Sequence, residues 1–243
     1  GFLLNRICLN ITQIIVVALV LLNVVGCGSS PETIRLSPDK LTVPDGARVM
    51  LEKLPSDIYV CRGLINGKPV RLLFDSGAHG HMLSNQTVKR IGLQVRPTDY
   101  VMSDGAGKKL RASGVVTADR VLVGNVEMDM LDFIVGPESF GREFDGVIGL
   151  SAFEDSLVAI DLGNARVDFT RDQLPAVDHK RVLPLERAAG GRLLVPATAG
   201  GQRLNFLFDT GFSNSIVFPD WLASAFQTER GAYSPEVVTT WGG

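Results

Sequence analysis

The stretch Gly67-Lys68-Pro69-Val70-Arg71-Leu72-Leu73-Phe74-Asp75-Ser76-Gly77-Ala78 recurs as Gly201-Gln202-Arg203-Leu204-Asn205-Phe206-Leu207-Phe208-Asp209-Thr210-Gly211-Phe212. Residue 67 aligns with 201 and residue 75 with 209, so the copies run in step, without a gap, at a constant offset of 134. Each copy opens on a glycine turn, continues as an apolar strand and ends on Asp-Ser/Thr-Gly. A second short strand follows, His81-Met82-Leu83 in one copy and Ser215-Ile216-Val217 in the other. A single Asp-Ser/Thr-Gly is a weak signal, because these side chains bond to their own turns. Two copies, each directly after Leu-Phe inside a longer matched stretch, make the repeat the organising feature of the chain.

Outward from the repeat, most of the chain consists of short β-like runs broken by Gly, Pro, Asn and Asp, such as 57–60, 70–74, 114–123 and 157–169. Helical periodicity is scarce, and two short stretches, 85–91 and 220–226, follow the two copies at about the same spacing. The expectation is an all-β protein of two related lobes, each a small closed or nearly closed barrel with one short helix. Lobe one takes residues 46–174, a linker 175–180, and lobe two 181–243. At the repeat offset, the counterpart of Val147-Ile148-Gly149 falls near 281–283, so lobe two is expected to be incomplete in this sequence.

The 243 residues carry 24 Lys+Arg against 26 Asp+Glu, a near-neutral balance without the basic footprint that nucleic-acid binding needs. With 45% hydrophobic residues and three cysteines, the chain fits neither a disordered segment nor a disulfide scaffold. The first thirty residues differ from the rest. Ile11 to Val25 form an apolar run the size of a signal-peptide core, preceded by Arg6 and followed by Gly26-Cys27-Gly28-Ser29-Ser30. This resembles the lipobox of bacterial lipoproteins, which implies a signal peptide over 1–26, a lipid on Cys27 and a polar stalk over 27–45. The expected product is exported and tethered to a membrane of the bacterial cell envelope. The alternative is a secretory signal or single anchor that merely contains a cysteine. Cleavage before Cys27 also removes Cys8, leaving Cys61 as a buried apolar filler with no disulfide implied.

The residues of the repeat resemble the pepsin-like and retropepsin-like aspartic proteases over about residues 57–243. Asp75-Ser76-Gly77-Ala78 is closest to the retropepsin form of the loop, and Asp209-Thr210-Gly211 fits either branch. The family's second signature, two apolar residues and a glycine, stands at Val147-Ile148-Gly149 within Phe144-Asp145-Gly146-Val147-Ile148-Gly149-Leu150. Its flap maps onto about 100–116, with Asp104-Gly105-Ala106-Gly107 as the turn and Gly105 and Gly107 facing substrate. The resemblance implies that Asp75 and Asp209 form a catalytic pair hydrolysing peptide bonds of a peptide or protein substrate. Two carboxylates about 3 Å apart cannot both ionise, so one serves as base while the other donates. Ser76 and Thr210 would bond across the pseudo-twofold axis, and Gly77 and Gly211 would let backbone approach the carboxylates. No metal or organic cofactor is required.

Other polar residues carry weaker readings. His79 and His81 have the His-x-His spacing that puts two rings on one face of a strand, but no third metal ligand stands at a familiar spacing. His79 is read instead at the cleft edge, where it could tune the pair, and His81 as a strand residue. A histidine at 79 departs from the family, and a cation there would lower the apparent pKa values of the pair. His179 belongs to the solvated linker, Asp145 fixes a turn and Asp161 sits near a hairpin. Trp241 aligns with the start of a second flap. Two other readings stay open: a homodimer that pairs lobe one with its copy, and a non-catalytic binding module on the same fold.

Overall fold

The computed structural model describes residues 33–103, 109–137, 140, 143–153, 156–170, 175–187, 192–199 and 201–212. The chain opens with strands β1 (Lys40–Thr42), β2 (Arg48–Lys53), β3 (Tyr59–Ile65), β4 (Lys68–Asp75) and β5 (Met82–Leu83). Helix α1 (Asn85–Ile91) follows, then β6 (Val101–Ser103), β7 (Lys109–Arg111), β8 (Gly114–Val123) and β9 (Val126–Val135). Next come β10 (Gly146–Gly149), a 3-10 turn (Leu150–Phe153), β11 (Leu157–Asp161) and β12 (Arg166–Thr170). The all-β expectation holds.

Six of these strands close into a barrel. Strand β3 lies antiparallel to β4 and β8, and β8 to β9. From β9 the ring continues through β5 (parallel) and β10 (antiparallel), and β10 returns to β4 in parallel. Closure removes the free edges that an open sheet of this size would expose. Strands β2, β12 and β11 extend the sheet beyond β3, and β1 pairs with β9.

Local chemistry explains the boundaries. Asn66 and Gly67, both at positive φ (48° and 77°), make the two-residue turn that matches strand twist between β3 and β4. Helix α1 starts where the Ser84 hydroxyl accepts the Thr87 amide at 3.0 Å. It stops at Gly92 in the left-handed region, with Lys89 and Arg90 in its last turn. All four residues of β10 are buried, where the strand lies between β4 and β5.

The core is apolar: Phe74, Phe133, Phe153, Phe169, Leu72, Leu131 and Ile148 are almost wholly enclosed. The Phe153 ring lies 5.9 Å from Phe74 and 4.9 Å from Phe169. Each such side chain contributes about 1.5–3 kcal/mol by burial. Exposed ion pairs such as Arg62–Glu52 contribute about 0–1 kcal/mol, so packing dominates.

The polar run assigned to a stalk lies, from residue 33 onward, on the barrel. The Asp39 amide donates to the Asp129 carbonyl at 2.9 Å, and β1 continues along β9. Backbone pairing to a strand edge does not need an apolar sequence, which is why composition suggested a solvated tether. Farther along the chain, β13 (Glu186–Arg187), β14 (Leu193–Ala199) and β15 (Gln202–Leu207) form an antiparallel three-stranded sheet that carries the second copy of the repeat.

Candidate active site

Strand β4 delivers Asp75 to its end, and β10 lies beside it in register, Ile148 opposite Phe74 and Gly149 opposite Asp75. Past that end the chain turns back on the carboxylate. Asp75 Oδ1 accepts the amides of Gly77 at 2.8 Å and Ala78 at 2.9 Å. The second copy repeats the device: β15 leads to Asp209, whose Oδ1 accepts the Gly211 amide at 2.8 Å.

The two loops are locked together by four hydrogen bonds. The Ser76 amide donates to Thr210 Oγ1 and the Thr210 amide to Ser76 Oγ, each at 3.0 Å. The same hydroxyls donate onward, Ser76 Oγ to the Phe208 carbonyl at 2.8 Å and Thr210 Oγ1 to the Phe74 carbonyl at 2.6 Å. Each hydroxyl therefore uses both its donor and its acceptor capacity, and both residues are buried.

The glycines are dictated by this approach. A Cβ on Gly77 would lie 2.5 Å from Asp209 Cγ, and a Cβ on Gly211 would lie 2.6 Å from Asp75 Cγ. Each glycine thus faces the opposite carboxyl, and the two carboxyls share one small space. Burial pushes the Asp75 carboxyl up to about 7, and the Asp209 charge and a hydrogen bond between the two carboxyls push in the same direction. The Gly77 and Ala78 amides oppose this by favouring the charged form.

The signature segment supports the first loop from beneath. A Cβ on Gly149 would meet the Gly80 carbonyl oxygen at 2.8 Å, so no larger residue fits against the turn. Asp145 does more than fix a turn. Its Oδ2 accepts the Arg71 amide of β4 at 2.7 Å, and its Oδ1 accepts the Thr87 hydroxyl at 2.9 Å and the Arg90 guanidinium at 2.6 Å. Asp161 caps the β11–β12 turn, accepting the Asn164 amide at 3.0 Å. The legs of the expected flap pair as β6 and β7, Val101 opposite Arg111 and Ser103 opposite Lys109. The tip with Gly105 and Gly107 lies outside the described residues. So do Cys27, Ser215-Ile216-Val217, the helix expected at 220–226 and Trp241.

His79, just past the loop, and His179 are both exposed. His81 departs from its reading as a simple strand residue. It precedes β5, is 1% exposed, and both ring nitrogens are occupied. The Gly149 amide donates to Nδ1 at 3.1 Å, and Nε2 stands 2.7 Å from the Leu36 carbonyl. Both ring nitrogens are thus engaged within the fold. Among the described residues no group of three or more His, Cys, Asp or Glu is placed to hold an ion. Cys61 is fully buried, its Sγ 3.4 Å from the Leu72 carbonyl.

Comparison with known proteins bears on this arrangement. Residues 61–152 match the sequence model of the aspartyl protease family. The matched span runs from β3 through the 3-10 turn, and so contains the Asp75 loop, the flap legs and the Val147-Ile148-Gly149 segment. A retropepsin-like aspartic protease from Rickettsia conorii is similar at 16% identity and a TM-score of 0.37, covering 54% of this chain and 91% of that one. No curated protein matches the chain.

Proposed function

We propose that the chain is an aspartic endopeptidase in which Asp75 and Asp209 share one proton and activate a water molecule against a peptide carbonyl. The observation that carries the reading is the reciprocal Ser76–Thr210 exchange, which supports a face-to-face pair of carboxyls. The ionised member takes a proton from water as its oxygen attacks the carbonyl carbon, and the protonated member donates to the carbonyl oxygen. Collapse of the tetrahedral intermediate breaks the C–N bond, with a proton passing to the leaving nitrogen. The raised Asp75 carboxyl is in keeping with a proton held near neutral pH, and such a pair titrates as a unit.

Substrate would lie extended beneath the flap, held by strand-like main-chain hydrogen bonds. The pairing of both copies within one chain favours a single-chain enzyme over a homodimer built from lobe one or a binding module. We further propose an exported protein anchored through a lipid on Cys27, a reading that rests on the sequence of residues 11–30. Incubating the purified protein with a library of extended peptides, with products read by mass spectrometry, tests the activity. Internal cleavage by a species that sediments as a monomer is the expected result. No cleavage at any pH between about 4 and 8 would refute it.

A further inference from the structure

The segment ahead of the barrel touches both working parts of the candidate site. Ile34 packs against the buried cluster of Met102, Ala112 and Ile134 at the base of the flap hairpin, which Tyr100 and Leu110 also join. The Leu36 side chain covers the turn after Asp75, where a Cβ on Gly80 would come within 2.8 Å of Leu36 Cδ2. Between these contacts the backbone is gripped by two buried groups. Asp132 on β9 accepts the Arg35 amide on Oδ2 at 2.8 Å, and His81 meets the Leu36 carbonyl.

His81 links this strap to the catalytic end of the barrel. Gly149, whose amide it accepts, stands in register with Asp75. Because Nδ1 faces a donor and Nε2 a carbonyl, the ring carries its proton on Nε2 and is neutral. An imidazolium would turn an N–H toward the Gly149 N–H and break the link.

We propose that His81 is a positioning residue of the active site, clamping residues 34–37 to the strand end beside Asp75 so that the N-terminal strap becomes part of the catalytic frame. The proposal rests on the endopeptidase reading. Burial lowers the His81 pKa to about 4, which keeps the clamp closed through the neutral range. The charged group acting on the ring is Asp132 on β9, itself paired with Arg96 at 3.3 Å, with Asp75 beyond Gly149. The Ser151 hydroxyl stands 3.5 Å from Nε2 and the Phe133 ring lies 5.7 Å away. Asp132 opposes the lowering, as does the hydrogen bond to Leu36.

The test uses the full chain as wild type, His81→Leu and His81→Gln. A glutamine side chain offers an acceptor and a donor at nearly the spacing of the two ring nitrogens but does not titrate. His81→Leu should lower kcat about tenfold or more with little change in KM, and His81→Gln should restore it to within about twofold. Amide exchange should rise at least tenfold at Gly149 and Arg35 in His81→Leu, with β11 and β12 unchanged. Should His81→Leu fail to fold, acidification decides: wild type loses activity and Gly149 protection as pH falls through about 4, and His81→Gln keeps both. Unchanged exchange and kcat in His81→Leu would overturn the proposal, and so would equal losses in the two variants. If wild type cleaves nothing, the endopeptidase reading falls, and the exchange measurements alone decide whether the clamp exists.

Discussion

The amide of Ser76 donates to the Thr210 hydroxyl and the amide of Thr210 donates to the Ser76 hydroxyl, both at 3.0 Å across 134 residues of sequence. The symmetry of the exchange follows from the repeat: each loop presents one donor and one hydroxyl acceptor, and each satisfies the other. Removing one hydroxyl strands a buried amide, which costs about 1–3 kcal/mol. Ser76→Ala and Thr210→Ala should each lower the denaturant midpoint accordingly and lower kcat/KM by a larger factor, because loop separation moves both carboxyls. Thr210→Ser keeps the hydroxyl and should retain most activity. Parallel unfolding and peptide-cleavage assays check this, and full activity in Thr210→Ala would contradict it.

Gly77 and Gly211 each face the opposite carboxyl at a distance no Cβ can occupy. Gly77→Ala should push Asp209 away from Asp75 and reduce kcat/KM by about a hundredfold or more, the scale expected for a displacement of about 1 Å. The barrel core lies elsewhere, so protection of β8 and β9 amides should persist. Amide exchange and steady-state kinetics on one preparation measure both.

The pH dependence has a definite sign. The Asp75 carboxyl has a higher pKa folded (about 7) than its ordinary 3.8, so the folded state holds a proton that the unfolded chain has released. The stabilisation is fully present below pH about 4 and is lost as pH rises through about 7. Unfolding midpoints of wild type, compared with Asp75→Asn, should show this extra slope in that window. Cleavage should also fall as the shared proton is lost. Parallel stability curves for the two proteins would contradict the assignment.

Cys61 is buried against the Leu72 carbonyl, and burial pushes its thiol up to about 12. The folded protein should therefore leave this thiol unmodified by an aromatic disulfide reagent that reacts with it in denaturant. Cys61→Ala should cost about 1 kcal/mol through the small void it leaves, with kcat/KM unchanged. Rapid labelling of Cys61 in the folded state would contradict the buried position.

What was legible in the sequence was whatever depends on side-chain identity at fixed spacing. Asp-Ser/Thr-Gly after an apolar run, Val147-Ile148-Gly149 and the 85–91 helix between Ser84 and Gly92 all encode local geometry directly. The role of residues 33–42 was not legible. They join the barrel through backbone hydrogen bonds, which any sequence without proline at the bonded positions can make, and through scattered side chains such as Ile34, Leu36 and Leu41 whose contacts only the fold creates. His81 was missed for the same reason: its partners are the Gly149 amide and the Leu36 carbonyl, and no side-chain pattern marks either. Asp145 was recognised as a turn residue, but its bond to the Arg71 amide depends on β4 lying beside it, a contact that only the folded sheet creates.

Cleavage of a single defined peptide by the full chain and by Asp75→Asn, Asp209→Asn and the double variant tests the central claim most directly. If the two carboxyls act as one unit, each single substitution should lower kcat by about a thousandfold or more. The double variant should then be no worse than either, because groups acting together are not additive. Wild-type cleavage by either folded single variant, or losses that multiply in the double variant, would contradict the shared-proton pair.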